Sequence, residues 1–208
     1  MIESFQRIVD YAKEDDKDLM LESFTLLCEA TSLSSACKQW LIWVSSLSYS
    51  AIEASEKHPE WKESLGVVVF GNQSQQLQDL IPFRVYPLPY IKNEHELVDI
   101  YNAVDLFAIP SLEENLPNMV MEAMSCGVPC VGFNTGGIPE MIDHLHNGYV
   151  AQRKSSEDLA NGIHWVLTEP EYAELSAQAC RKAIGNYSES IIAKKYTDVY
   201  NKITGKYA

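Results

Sequence analysis

The 208-residue sequence is short of positive charge: 16 lysines and arginines face 29 aspartates and glutamates, for a formal net charge of −13. A chain this acidic repels phosphate polymers and anionic lipid on average, which argues against nucleic acid or a membrane surface as partner. A local positive pocket for one small phosphate ligand stays open. The chain also lacks any apolar run approaching the ~20 residues of a membrane span. Its N-terminus, MIESFQRIVDYAKEDD, is polar and acidic rather than basic-then-apolar, so a signal peptide is not expected and a cytoplasmic location is. Cys28, Cys37, Cys126, Cys130 and Cys180 form no C-x-x-C pair, and an odd set without an export signal fits a reducing compartment. No G-x-G-x-x-G follows any strand candidate, which weakens a nicotinamide oxidoreductase. Internal repeats and low-complexity segments are missing as well.

What remains is ordinary globular composition, 46% hydrophobic and 22% charged. At this length a chain buries about 70% of its unfolded surface and needs no disulfide or metal staple. From residue 65 onward, strand and helix signals alternate. GVVVFG (66–71) is a continuous β-branched run of the kind buried on both faces of a sheet. QSQQLQDLI (73–81) is a short helix candidate stopped by Pro82, and RVYPLPYI (84–91) is a strand that its prolines make irregular or an edge. In 93–104, Leu97, Ile100, Tyr101 and Val104 are spaced for an amphipathic helix. A strand at 104–110 follows, then a helix over 117–127 with Pro near its start and Gly just past its end. A strand at 128–134, a Gly-Gly turn, IPEMIDH and a short strand at 148–151 come next. A capped helix at 155–167 and two more, near 170–185 and 188–203, close the chain.

Such alternation demands a parallel sheet with helices on both faces, and ligands bind such sheets where the βα loops converge, at the carboxyl ends of the strands. The first 64 residues read differently. Ile2, Phe5, either Ile8 or Val9, and Ala12 mark one amphipathic helix and residues 19–30 another, so 1–64 is expected to be a mostly helical segment and 65–208 the sheet domain. WLIWVSSLSYSAIEAS (40–55) fits either helix or strand, and its Trp40 and Trp43 read as core. His144 and His146 sit beside an Asn-Gly turn and read as loop residues rather than a metal pair.

The stretch most informative about chemistry is IPSLEENLPNMVMEAMSCGVPCVGFNTGGIPEMI, residues 109–142. Glu114 lies in the loop leaving one strand, and Glu122 follows in the first turns of the next helix. Between them falls a helix N-terminus, whose free N–H groups and dipole attract phosphate. Carboxylates beside an anion site make sense for an anion rich in hydroxyls. In a nucleotide sugar, carboxylates accept hydrogen bonds from the sugar and ribose while N–H groups hold the diphosphate. By residue type alone, a solvated loop Glu114 and a surface Glu122 suited to the helix dipole are the favoured account of both residues.

The arrangement carries more than the residue types. Pro110-Ser111, Glu114, Glu122-Ala123-Met124, Gly127-Val128-Pro129-Cys130-Val131 and Gly136-Gly137-Ile138-Pro139-Glu140 together closely resemble the donor-binding domain of GT-B glycosyltransferases of the group 1, retaining type. The resemblance runs from about residue 65 to 201. It implies an α/β fold, a Rossmann-like parallel sheet flanked by helices forming the C-terminal half of a GT-B enzyme, and transfer of a sugar from a nucleotide diphosphate to a saccharide or glycolipid acceptor. Glu114 matches the glutamate that contacts the donor sugar near its reacting carbon, and Glu122 the one that accepts from the ribose. Asn115, Leu116 and Pro117 match positions whose backbone lines the sugar and diphosphate; Pro117 offers no N–H, which leaves Asn115, Leu116 and Asn118 as the donors. Tyr90 and Ile91 match the segment that walls the base, and Gly71 and Asn72 the loop after the preceding strand. In this chemistry the donor phosphate itself helps deprotonate the acceptor, so no cofactor or metal is expected.

Two departures stand out. Nothing before residue 65 is long enough for the acceptor-binding domain, so activity is expected to need that domain from elsewhere, along with any membrane association it brings. The family's cationic pair for the diphosphate should fall near residues 36–52, where only Lys38 is basic. An altered or frame-disrupted stretch would read this way, and the chain could then be a non-catalytic sugar-nucleotide binder.

Overall fold

The computed structural model describes residues 51–52, 54–70 and 81–205. The sequence-based expectations for Lys38, Gly71 and Asn72, for the helices at 2–12 and 19–30, and for nearly all of 73–81 therefore concern residues outside that set. Among the described residues the elements run α1 (Trp61–Ser64), β1 (Gly66–Phe70), β2 (Arg84–Leu88), α2 (Glu94–Asn102), β3 (Phe107–Ile109), α3 (Asn118–Ser125), β4 (Cys130–Phe133), α4 (Ile138–Met141), β5 (Gly148–Ala151), α5 (Ser156–Thr168), α6 (Tyr172–Tyr187) and α7 (Glu189–Thr204). Among the described residues every strand pairing is parallel, as the alternation demands, and the strands form two sheets, β1-β2 and β3-β4-β5.

β4 is the centre of the larger sheet and the best buried strand, with all four residues inaccessible. Ile109 pairs with Gly132 and Gly132 with Val150. On one face, Val120, Ala123 and Met124 of α3 pack with Ile138, Met141 and Ala179. On the other, Phe133 and Val131 meet Leu159 and Val166 of α5 and Leu175 of α6. This two-sided burial is why VPCVGF reads as a run rather than as an alternation. α5 approaches closely because residue 162 is glycine: a Cβ there would lie 2.4 Å from the Tyr149 ring.

The helix boundaries follow local chemistry. Ser155 caps α5, its side chain accepting from the Asp158 N–H at 3.1 Å. α3 ends where Gly127 adopts φ +76°. The Gly127 N–H donates to Met124 O and the Val128 N–H to Ala123 O, each at 2.9 Å, the two bonds of a Schellman stop. Asn93 caps α2 by accepting from the His95 N–H.

The helical residues 54–57 and α1 lie against α5. Lys57 Nζ is 2.8 Å from Glu157 Oε1 and 3.3 Å from Asn161 Oδ1. The rings of His58 and Trp61 stack with that of His164, with centroids 4.0 Å apart for the two histidines. Burial, seconded by the adjacent His58, lowers the pKa of His164 below its ordinary 6.5, against a smaller opposing pull from Glu60. The unfolded chain therefore takes up this proton more readily. The stability tied to neutral His164 is complete above pH 6.5 and lost as pH falls through the folded-state value. A His164→Phe protein, which keeps the stacking ring, is expected to show a smaller drop in Tm between pH 7 and pH 5 than the parent. Parallel Tm–pH curves for the two proteins would contradict this.

Candidate functional site

The loops that leave β3 and β4 meet at the carboxyl edge of the larger sheet, and Glu114 and Glu122 belong to that edge. After Ile109 the chain turns through Pro110–Pro117 into α3. After Phe133 it turns through Asn134–Gly137 into α4. The two loops are fastened to each other. Thr135 Oγ1 donates to Leu112 O at 2.9 Å, and the Gly137 N–H donates to Asn115 O at 2.6 Å. From the loop after β5, Arg153 donates through Nε and Nη2 to the same Leu112 oxygen, each at 3.3 Å.

The glycines of the Gly-Gly turn are what permit this approach. A Cβ on Gly136 would fall 1.5 Å from the carbonyl oxygen of Glu114, and Gly136 adopts φ +51°. A Cβ on Gly137 would fall 2.1 Å from Asn115 O. The turn therefore fixes the backbone of Glu114 and Asn115 by direct contact. Glu114 is half-buried, while Asn115 and Leu116 are exposed.

Pro117 is the N-cap of α3 and supplies no capping side chain. Its carbonyl already accepts from the Val120 N–H at 3.1 Å, but the first N–H groups of a helix have no partner within it. They face the same edge as the Glu114 loop. Glu122, one turn further on, is exposed yet tethered: the Tyr101 hydroxyl donates to its Oε2 at 3.2 Å and lies 3.4 Å from Met119 O. Tyr101 is only 2% exposed. Burial first, then the negative charge of Glu122, push its pKa up, so the phenol stays a donor.

Glu114, Asn115, Leu116, Asn118 and Glu122 are thus gathered on one loop and the helix it enters. Tyr90 and Ile91 follow β2 in the smaller sheet, Tyr90 standing 62% exposed. Reading the sequence alone misses two residues that build the edge. Arg153 leaves no local signal because its target is 41 residues away. Tyr101 sits on the apolar stripe of α2 and reads as plain core. Cys130 is buried, and burial raises its pKa well beyond the ordinary thiol range. Among the described residues no group of three or more His, Cys, Asp or Glu is placed to hold a metal ion. No helix among them is long and apolar enough to cross a membrane.

Residues 49–183 match the family described as "Glycosyl transferases group 1". One relative, the N,N'-diacetylbacillosaminyl-diphospho-undecaprenol alpha-1,3-N-acetylgalactosaminyltransferase of Campylobacter jejuni, is 30% identical over 115 residues, which cover 55% of this chain and 30% of that protein. The chain spans about a third of the length of the curated relatives it matches. Among solved structures, Anabaena HepE in complex with UDP and glucose aligns with TM-score 0.59 at 22% identity, covering 74% of this chain and 44% of that one. The C-terminal domain of a group 1 protein from Francisella tularensis aligns with TM-score 0.55 at 19% identity, covering 69% of this chain and 78% of that domain. Identities this low carry the fold.

Proposed function

The chain belongs to the group 1 glycosyl transferases, and from that premise we propose that its Glu114–Glu122 edge binds the nucleotide diphosphate sugar donor of a retaining transfer to a saccharide or glycolipid acceptor. The observation that carries the reading is the strapping of the Glu114 loop onto the Gly136-Gly137 turn beside the start of α3. It holds the backbone of Glu114 and Asn115 beside the first N–H groups of α3.

In this reading Glu114 accepts hydrogen bonds from the donor sugar near its anomeric carbon, and Glu122 accepts from the ribose. Tyr101 fixes the Glu122 carboxylate by occupying one of its oxygens, leaving the other for the ligand. The backbone N–H groups of Asn115, Leu116 and Asn118 take the diphosphate oxygens, and Tyr90 and Ile91 flank the base. Gly71, Asn72 and Lys38 are assigned to the same site by resemblance, Lys38 as the cation for the diphosphate. In the transfer, the bond from the anomeric carbon to phosphate oxygen breaks. The acceptor oxygen bonds to that carbon on the same face, and its proton passes to the departing diphosphate. The scheme calls on no resident metal or cofactor.

Replacing Glu122 with Ala removes charge-assisted hydrogen bonds worth roughly 1.5–3 kcal/mol. Nucleoside diphosphate affinity is expected to fall by about one to two orders of magnitude, since each 1.4 kcal/mol is tenfold. Calorimetry giving equal affinities for parent and variant would remove Glu122 from the site. A second reading, a sugar-nucleotide binder that acts only with another chain, is favoured by the uncharged stretch 39–52. Donor binding without turnover would favour it.

A further inference from the structure

α3 and α6 meet through small residues. Ala123 on one helix and Ala179 and Ala183 on the other are buried in the same cluster, and Cys126 packs against it. Helices joined by alanine and glycine approach toward the lower end, about 8 Å, of the usual range of axis separations. At the end of α3 the approach reaches the backbone. A Cβ on Gly127 would fall 2.8 Å from Ser176 Oγ and 3.7 Å from Ser176 O. One turn further along α6, the Cys180 thiol donates to the carbonyl oxygen of Ser125 at 3.5 Å. That oxygen is one of the last-turn carbonyls that a helix leaves without an internal partner. Ser125 and Gly127 flank Cys126 in the chain, and Ser176 and Cys180, at i and i+4, share one face of α6. Cys126 is therefore held against the turn of α6 that carries Cys180.

We propose that Cys126 and Cys180 form a reversible disulfide, a modification site that takes oxidising equivalents from a small-molecule disulfide such as oxidised glutathione. Both thiols are free and partly exposed, so a reagent reaches them, whereas Cys130 is fully buried. The Ser125 oxygen is three bonds from the Cα of Cys126, which places the Cys180 sulfur at most roughly 6 Å from that Cα. A disulfide joins Cα atoms roughly 4.4–6.8 Å apart, and the proposed bond forms by rotation of the two side chains. Burial first, then the negative charge of a Cys180 thiolate and of Glu122, raises the pKa of Cys126, so the first attack falls to Cys180. Its thiolate attacks one sulfur of the reagent, that S–S bond breaks, and one small thiolate departs. The Cys126 thiolate then attacks the Cys180 sulfur, forming the new bond and expelling the second small thiolate. The protein loses two electrons and two protons, and the reagent gains them as two thiols. The bond ties α3, the helix that bears Glu122, to α6. It stands on the packing of these two helices and holds whether or not a nucleotide sugar is the ligand.

The test treats the folded 208-residue chain with oxidised glutathione and maps its cysteines by mass spectrometry of unreduced peptides. The expected result is a peptide pair linked through Cys126 and Cys180, two hydrogens lighter than the reduced peptides together, which dithiothreitol separates. The link should be lost in each single variant, and differently in the two. Cys126→Ser should leave Cys180 as a stable glutathione adduct, and Cys180→Ser should leave Cys126 unmodified. A glutathione adduct that persists on Cys180 in the unsubstituted chain would overturn the proposal. So would both thiols remaining free, or either of them linking to Cys28 or Cys37 in place of the pair. These readings come from the unsubstituted protein and do not depend on the variants folding.

Discussion

A Gly136→Val protein is expected to lose nucleoside diphosphate binding altogether and to melt well below the parent. The substitution places a β-branched residue at φ +51°, where backbone strain alone costs roughly 1–3 kcal/mol. Its Cβ would also fall 1.5 Å from the Glu114 carbonyl oxygen, a backbone atom that no rotamer change can move aside. Relief requires the Pro110–Pro117 loop to retreat. That retreat breaks the Gly137 N–H to Asn115 O and Thr135 Oγ1 to Leu112 O bonds together. The carboxylate of Glu114 and the N–H groups before α3 then lose their common frame. Thermal melting and nucleotide calorimetry on the same preparation check this. Unchanged binding in a folded Gly136→Val protein would show that the two loops are not the site.

The second large effect concerns turnover. The 208-residue polypeptide assayed by itself is expected to bind a nucleotide sugar weakly and to transfer it at no useful rate. It covers about a third of the relatives' length, and an acceptor held in place by a second domain can lower a barrier by ~7–11 kcal/mol through positioning alone. The electrostatics point the same way. Between residues 18 and 56 the sequence has one lysine or arginine, Lys38, and the edge itself presents Glu114 and Glu122. Carboxylates repel a departing diphosphate, and stabilising such developing charge is usually the largest single contribution to catalysis. Adding an acceptor domain from a relative and placing Arg or Lys within 38–52 should both be needed before transfer is seen. Robust transfer to a glycolipid by the unaltered polypeptide, with common nucleotide sugars, would contradict this expectation.

Much of this architecture is written locally. α3 is bracketed by Pro117 and Gly127, and the structure places it at Asn118–Ser125. The run at 128–134 becomes β4 because both of its faces are covered, and Ser155 caps the helix it precedes. The two glutamates reach one edge because a parallel sheet sends every βα loop to the same side. What cannot be read from sequence is contact between distant loops. The Arg153 guanidinium and the Thr135 hydroxyl converge on Leu112 O from 41 and 23 residues away, and no periodicity encodes that. Tyr101 is similar: its place on an apolar stripe is visible, but its bond to Glu122 depends on how α2 and α3 pack. WLIWV stays ambiguous because a segment apolar at every position has no period to distinguish helix from strand.

The central claim is that the strapped edge, and not another surface, receives the donor. It is tested most directly by amide NMR of the chain titrated with each common nucleotide diphosphate sugar. The account predicts saturable shifts, for at least one donor, centred on Asn115, Leu116, Asn118, Gly136 and Gly137, with the α7 amides unmoved. Saturable shifts that spare those five residues and cluster elsewhere would contradict it.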